Sequence, residues 1–281
     1  MNIKLTAKEY KSNVKPIWCP RCGDYGFFSA LLKSFEALQL NPHETVTVSG
    51  IGCAGRIPAF LKTFGFHGAH GRLLPTALGI KMANPRLKVI GIGGDGDGFA
   101  IGMGHFPHAI RRNVDMLYVV LDNSLYGLTK GQSSPTTQEH HITKTNPYDI
   151  DGQPLDPVAL ALAAGAGFVA RIFTGNMKQM LSILPEALRY KGFAFVHALS
   201  PCSTFYDTFG LYLKNVKPLS DDYVPTDRIK ALEIGSSQQP IYSGIIYKSE
   251  RETLDQRYQK MISENLQPEM TIRELALDWS K

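Results

Sequence analysis

The stretch Lys88-Val-Ile-Gly-Ile-Gly-Gly-Asp-Gly-Asp-Gly98 decides the fold. It sits on a short apolar run, Leu87 to Ile92, of the kind that forms a strand buried on both faces. It ends in glycines, after which Gly98 to Arg112 reads as a helix. A glycine turn between a strand end and a helix start lets backbone N–H groups approach a pyrophosphate, and the helix N-terminus favours the same charge. Gly91, Gly93 and Gly96 satisfy G-x-G-x-x-G, the dinucleotide fingerprint. That reading leaves Asp95 and Asp97 beside a diphosphate with no cation between them, which is repulsive. With a divalent metal between, Asp95 becomes a ligand, so the segment points to a metal-bridged diphosphate.

Outward from this turn the two hydrophobic periods alternate. Phe27 to Leu40, Arg72 to Ala83 and Met177 to Tyr190 read as helices, and Asp156-Pro157 opens another as N-cap and first helical residue. Thr45 to Ser49, Met116 to Leu121, Phe168 to Ile172 and Phe193 to Leu199 read as strands. Strands alternating with helices predict an α/β, doubly wound, mostly parallel sheet. Ligands gather at the carboxyl ends of such strands. Met116 to Leu121 ends in Asp122-Asn123, and Asn123 lies 28 residues after Asp95, room for one helix and one strand. The Asn123 amide oxygen is a hard ligand suited to Mg2+, and the Leu125 carbonyl could add another oxygen. Residues 123 to 156 form a long polar loop, a length that marks a functional or partner-wrapping segment. After about residue 215 periodicity fades. The expected division is residues 1–215 as the cofactor-binding domain and 216–281 as an extension with one or two helices and no second core.

The 281 residues are 43% apolar and 20% charged with a net charge of +5, enough for a sizeable core and too little charge to indicate nucleic acid. No stretch reaches the roughly 18 apolar residues of a membrane span. The N-terminus lacks the apolar block of a secretory signal, so a cytoplasmic protein is expected. Disulfides would be unusual there. Four thiols with one close pair, Cys19-Pro-Arg-Cys22, suggest a metal or cluster site instead. Cys53 and Cys202 each follow a strand directly, where the diphosphate site is expected. A zinc ion held by all four thiolates and an iron–sulfur cluster both remain open on the thiols alone.

Gly94-Asp95-Gly96 followed by Asn123 resembles the signature of thiamine diphosphate enzymes. Trp18-Cys-Pro-Arg-Cys-Gly23, Gly50-Ile-Gly-Cys53, His70-Gly71-Arg72, Gly94-Asp-Gly-Asp97, Asn123-Ser-Leu-Tyr-Gly-Leu-Thr-Lys-Gly-Gln132 with Ser134-Pro135-Thr136, and Pro201-Cys202 occur jointly and in order. Together they resemble the β subunits of 2-oxoacid:ferredoxin oxidoreductases, over about residues 15 to 210.

The resemblance implies a thiamine diphosphate-binding fold with thiamine diphosphate, Mg2+ and a 4Fe-4S cluster. It implies that Cys19, Cys22, Cys53 and Cys202 hold the cluster, and that Asp95, Asn123 and the Leu125 carbonyl hold Mg2+. Gly96, Asp97, Gly127 and Leu128 would line the diphosphate, and Ile51, Gly52, Cys53 and Ala54 the path from cofactor to cluster. His70 is placed at the cofactor, with a structural imidazole as its plainer reading, and Arg72 at a local cap or pair. Lys130 is the candidate for a substrate contact. His140-His141 read as surface residues, Tyr118 as core packing, and Gly104 stands where the family has Asn, which leaves the role of His105 open. The implied reaction is coenzyme A-dependent oxidative decarboxylation of a 2-oxoacid with one-electron transfer to ferredoxin, or the reverse carboxylation. Gly127 to Gln132 resembles the 2-oxoglutarate or broad-range branch more than the pyruvate branch, and a distal carboxylate calls for a cation such as Lys130. The Glu that activates the cofactor belongs, in this family, to an α subunit with the pyrimidine-binding domain, so an αβ heterodimer or (αβ)2 with half an active site on each chain is expected. The rival readings are a non-redox thiamine-dependent decarboxylase or synthase with structural zinc, and a zinc-stapled nucleotide-binding module.

Overall fold

The computed structural model describes residues 4–149 and 152–265. Within them one sheet is built from β1 (Thr45–Ser49), β2 (Phe64–His67), β3 (Lys88–Gly94), β4 (Met116–Asp122), β5 (Phe168–Phe173), β6 (Phe193–Leu199), β7 (Val216–Pro218) and β8 (Ile241–Lys248). Their order is β2-β1-β3-β4-β6-β5-β8-β7; β1 to β6 pair in parallel and β8 runs antiparallel to β5. The helices are α1 (Gly23–Leu38), α2 (Leu73–Ala83), α3 (Phe106–Arg112), α4 (Pro157–Ala163), α5 (Met177–Arg189), α6 (Phe209–Asn215), α7 (Arg228–Gly235) and α8 (Leu254–Asn265).

Period-two alternation sorts the central strands between two cores. Leu117, Val119 and Leu121 of β4 join Phe27, Leu31 and Phe35 of α1 and Met180 and Leu184 of α5. Tyr118 and Val120 join Leu74 of α2, Phe106 and Ile110 of α3 and Leu162 of α4. Each fully buried Phe or Leu contributes roughly 1.5–3 kcal/mol, and helices on both faces give the expected doubly wound α/β class. Tyr118 is core packing, as its strand position indicates. At α4, Asp156 accepts from the N–H groups of Val158 and Ala159, both at 3.0 Å, with Pro157 next, as its sequence indicates. No described helix is long and apolar enough to cross a membrane.

Three elements differ from the sequence expectation. The helix expected over Gly98 to Arg112 is broken: a π turn at Asp97–Ile101 and a 3-10 turn at Met103–His105 precede α3. Gly102 is the cause, because a Cβ there would stand 2.4 Å from the Asp97 carbonyl. β2 carries no sequence signal; its four residues are exposed at the sheet edge and leave no buried face to read. The segment after residue 215 supplies strands as well as helices, and Ala231, Ile246 and Tyr247 enter the second core. A register shift against β5 at Val169/Ala170 and Gly244 in β8 erase the period-two signal there. The part of that expectation over 266–281 lies outside the described residues.

One buried pair braces the sheet. Lys81 Nζ donates to Asp115 Oδ2 and to the Leu87 carbonyl, both at 3.0 Å. Burial alone raises the Asp115 carboxyl, but the Lys81 and Lys88 charges and the bonds from Lys81 and Gly192 outweigh it and hold it below its ordinary range. A depressed carboxyl adds stability above its unfolded pKa, about 3.9, and loses it as pH falls through the lower folded value. Asp115→Ala is expected to cost about 3–5 kcal/mol at pH 7, because Lys81 is left buried and unpaired. Denaturant melts along a pH series should show the deficit narrowing below about pH 4.

Candidate active site

The carboxyl ends of β1, β3 and β4 carry the segments that the sequence singles out. Ile51, Gly52, Cys53 and Ala54 follow β1, Asp95, Gly96 and Asp97 follow β3, and Asn123, Leu125, Gly127 and Leu128 follow β4. Together with His70 they line one cavity of about 110 Å³. Lys130 does not: it is exposed beyond the rim in a left-handed conformation (φ 78°), and its ammonium has no partner among the described residues.

Asp95 is 2% exposed and Asp122, at the end of β4, 3%. The Thr136 hydroxyl sits between them, 2.8 Å from Asp122 Oδ1 and 3.1 Å from Asp95 Oδ2. A hydroxyl has one proton to donate. Burial first, and the Asp122 charge second, push the Asp95 carboxyl well above its ordinary range, against the hydrogen bonds from Ser134 and Thr136 that favour its charge. A cation at Asp95 removes that penalty. The neighbouring oxygens are already oriented. Asn123 Oδ1 accepts the Leu125 N–H at 3.1 Å, which fixes the amide and leaves its second lone pair free. Ser124 is left-handed (φ 59°), held there by its N–H on Asp122 Oδ1 at 2.8 Å. A carboxylate, an amide oxygen and the carbonyl of the same turn form a hard oxygen set that fits Mg2+. Gly96 keeps the turn open, since a Cβ there would meet the Tyr126 ring at 2.3 Å.

Asp97 lines the cavity and also braces its walls. Its Oδ1 accepts from Ile51 N and Gly71 N at 2.8 Å and from His70 Nδ1 at 2.7 Å, so one carboxylate ties three loops together. Its Oδ2 is buried without a hydrogen-bond partner among the described residues. With its Nδ1 proton on Asp97, His70 keeps Nε2 as an acceptor. Arg72 reaches the carbonyls of His70 and Ile101, each at 3.4 Å, and so caps locally. His105 is half-buried, and burial, then Arg72 and His108, lower its pKa. His140 pairs with Asp149 at the surface, whereas His141 stacks on Tyr206 with centroids 3.8 Å apart.

None of the four cysteines is in a disulfide. Cys22 lies in the electrostatic field of Cys53 and Cys202, and Cys53 in that of Cys202 and Cys19. The Gly23 N–H on the Pro201 carbonyl at 3.1 Å ties the two cysteine loops, and Trp18 Nε1 donates to the Cys53 carbonyl at 2.9 Å. Burial first, then Asp24, pushes the Cys53 thiol up to about 12 and Cys22 higher still. Thiolates at these positions would need cations of their own. No three His, Cys, Asp or Glu side chains among the described residues converge on a single-ion position.

Cys53 belongs to both groups. It lines the cavity, and its Sγ lies 3.6 Å from where a Cβ on Gly127 would stand. Sequence reading misses Asp24, which also lines the cavity and accepts from Ser200 Oγ at 2.7 Å, with burial raising its carboxyl to about 6. Its position two residues after Cys22 is the available signal. Thr136 enters the sequence reading only as part of a motif, with no role.

Residues 50–198 match the family described as thiamine pyrophosphate enzyme, C-terminal TPP binding domain, and residues 202–263 match the family of the C-terminal part of the pyruvate ferredoxin oxidoreductase beta subunit. The chain is 46% identical over 209 residues to a 2-oxoacid:ferredoxin oxidoreductase subunit beta of Saccharolobus solfataricus, across 73% of this chain and 68% of that one. The chain belongs to the 2-oxoacid:ferredoxin oxidoreductase β subunits. This β subunit is also 39% identical over 249 residues to a 2-oxoglutarate synthase subunit KorB of Archaeoglobus fulgidus, across 87% and 89% of the two chains. A solved structure of 2-oxoglutarate:ferredoxin oxidoreductase from Magnetococcus marinus, with 2-oxoglutarate, coenzyme A and succinyl-CoA bound, superposes with a TM-score of 0.95 at 36% identity, covering 99% of this β subunit and 97% of that chain.

The glycine turn of the β subunit offers a contrast of two glycines. Gly96→Ala drives a methyl into Tyr126, an overpacking of about 1–3 kcal/mol, and is expected to weaken thiamine diphosphate binding about tenfold or more. Gly104→Ala, with nothing within 4 Å of its Cβ, should bind as the wild type does in calorimetric titrations with Mg2+ present.

Proposed function

We propose that this β subunit holds thiamine diphosphate with Mg2+ at its strand ends and a 4Fe-4S cluster on Cys19, Cys22, Cys53 and Cys202. With an α subunit it would oxidatively decarboxylate 2-oxoglutarate, the acyl group leaving on coenzyme A and the electrons on ferredoxin; the same site serves the reverse carboxylation. The observation that carries this reading is Cys53, which belongs to the cofactor cavity and to the thiol group at once.

Bound thiamine diphosphate supplies the electron sink that 2-oxoacid decarboxylation requires. Asp95, Asn123 Oδ1 and the Leu125 carbonyl hold Mg2+. Gly96, Gly127, Leu128 and Ile51 to Ala54 bound the cofactor. Asp97 bounds the cofactor with them and orients His70 so that Nε2 can accept a proton there. Four cysteines, with Cys53 in the field of Cys19 and Cys202, supply the thiolates that a 4Fe-4S cluster takes. Lys130, exposed and unpaired by any described carboxylate, is available to the distal carboxylate of 2-oxoglutarate. The names of the Archaeoglobus and Magnetococcus relatives favour the same substrate.

The activating Glu is assigned to the α subunit, as the resemblance to this family implies. Val14, Ile17 and Leu128, all exposed, border an adjoining groove and suit that chain's apolar cover.

Anaerobically purified αβ complex is expected to contain iron and acid-labile sulfide in equal amounts; zinc in their place would refute the cluster. Asp95→Ala should abolish Mg2+-dependent thiamine diphosphate binding and leave the iron–sulfur absorption intact. Lys130→Met should raise KM for 2-oxoglutarate with little change for pyruvate, which has no distal carboxylate. An equal loss on both substrates would remove Lys130 from substrate recognition.

A further inference from the structure

Four buried polar residues lead away from Asp95 without lining the cofactor cavity. Thr136 and Asp122 are 3% exposed, and His197 and Arg171 4%. Arg171 of β5 and His197 of β6 are direct cross-strand partners, and His197 pairs with Val120 of β4, two residues before Asp122. The three polar side chains therefore share one sheet face and form a row toward the strand tips.

The hydrogen bonds converge on Asp122 from both sides, from Arg171 through His197 and from Thr136. Arg171 Nε only donates, and its partner is His197 Nδ1 at 3.2 Å. Nδ1 accepts, so the ring proton sits on Nε2 and is donated to Asp122 Oδ2 at 2.8 Å. Asp122 Oδ1 accepts from Ser124 N and Thr136 Oγ1, each at 2.8 Å. The same Thr136 oxygen touches Asp95 Oδ2. At the far end the other two Arg171 nitrogens donate to the Gly235 carbonyl at 2.8 Å and the Tyr242 carbonyl at 3.3 Å, in α7 and β8.

Apolar residues would serve the core better at these positions. Val169 and Phe195, two residues earlier on the same face, are apolar, and replacing buried ionic groups with apolar ones is often neutral or stabilising. A chain of four polar groups ending on a carboxylate that faces the cofactor has a use beyond packing. Metal-ligating carboxylates are held by outer hydrogen bonds that set their orientation and affinity.

We propose that Arg171, His197 and Asp122 are positioning residues that act through Thr136 to aim the Asp95 carboxylate at Mg2+, and that the segment after residue 215 tunes this by holding Arg171. The inference rests on the reading of Asp95 as a Mg2+ ligand.

The test is calorimetric titration of Mg2+ into the αβ complex, stripped with chelator and saturated with thiamine diphosphate. Melting temperature and iron–sulfur absorption are recorded on the same samples. His197→Phe removes both ring hydrogen bonds and is expected to weaken Mg2+ about 10–100-fold. His197→Gln keeps an N–H donor for Asp122 and should recover most of that loss. A merely structural His197 would lower the melting temperature in His197→Phe and leave Mg2+ affinity unchanged, and that result overturns the proposal. If His197→Phe does not assemble, Thr136→Val decides: the same loss, recovered in Thr136→Ser, is expected, and unchanged affinity overturns the proposal. Asp95→Ala separates the two readings. Mg2+ binding retained in Asp95→Ala defeats the ligand assignment and the relay with it. Binding lost in Asp95→Ala but unchanged in His197→Phe and Thr136→Val defeats the relay alone.

Discussion

Asp95 and Asp122 are buried at neighbouring strand tips within reach of a single hydroxyl proton, that of Thr136. Much of the site follows from this crowding. Two carboxylates cannot sit together in the interior uncompensated, because burial and mutual repulsion both oppose their charge. Asp122 is answered from within the fold, by Ser124, Thr136 and His197. Asp95 has the shared Thr136 hydroxyl, Ser134 and an open side on the cavity, where, on the proposed function, a divalent cation would complete the compensation and draw in a diphosphate. Parallel pairing of β3 with β4 brings the two tips together, and the loop after Asn123 returns Thr136 between them.

Cys53 extends the same logic to the proposed cluster. It leaves β1 in a turn whose Ile51 N–H is pinned by Asp97, the carboxylate that also orients His70. The thiol thus stands on a rigid support next to Gly127. A cluster bound there would lie against the cofactor with no mobile segment between them, and rigid placement of this kind is what a site built on strand ends provides.

Much of this is legible in the sequence, and the parts that are not have physical reasons. The G-D-G turn, Asn123 and the ordered cysteines can be read because each combines a residue type with a backbone position. The helical pattern over Gly98 to Arg112 misleads because apolar periodicity does not report that Gly102 packs against the Asp97 carbonyl. Asp97 reads as part of the diphosphate wall and does line the cavity; its second task, tying Ile51, His70 and Gly71, is hidden because its partners lie on other loops. Arg171 and His197 stand in plain view as polar residues in and beside the apolar runs of β5 and β6. Their role is hidden because their partners, Asp122 and the Gly235 and Tyr242 carbonyls, come from distant parts of the chain.

The size of the cavity bears on why this fold works as half of a site. Pockets that enclose a cofactor-sized ligand run to about 300–1,000 Å³. The cavity at the strand tips measures about 110 Å³ and suits the metal and diphosphate end alone. It adjoins a groove of about 360 Å³, sharing Ile51, Gly52 and Leu128 with it. The outer border of that groove carries Val14, Ile17 and Leu128, apolar side chains left in solvent. A surface that fixes the charged end of a ligand and leaves an apolar border beside it is complementary to a chain that grips the other end. On the proposed function the carboxylate pair and the exposed border belong to one design: this chain would supply charge compensation and the cluster thiols, and the covering chain would exclude water from what lies between.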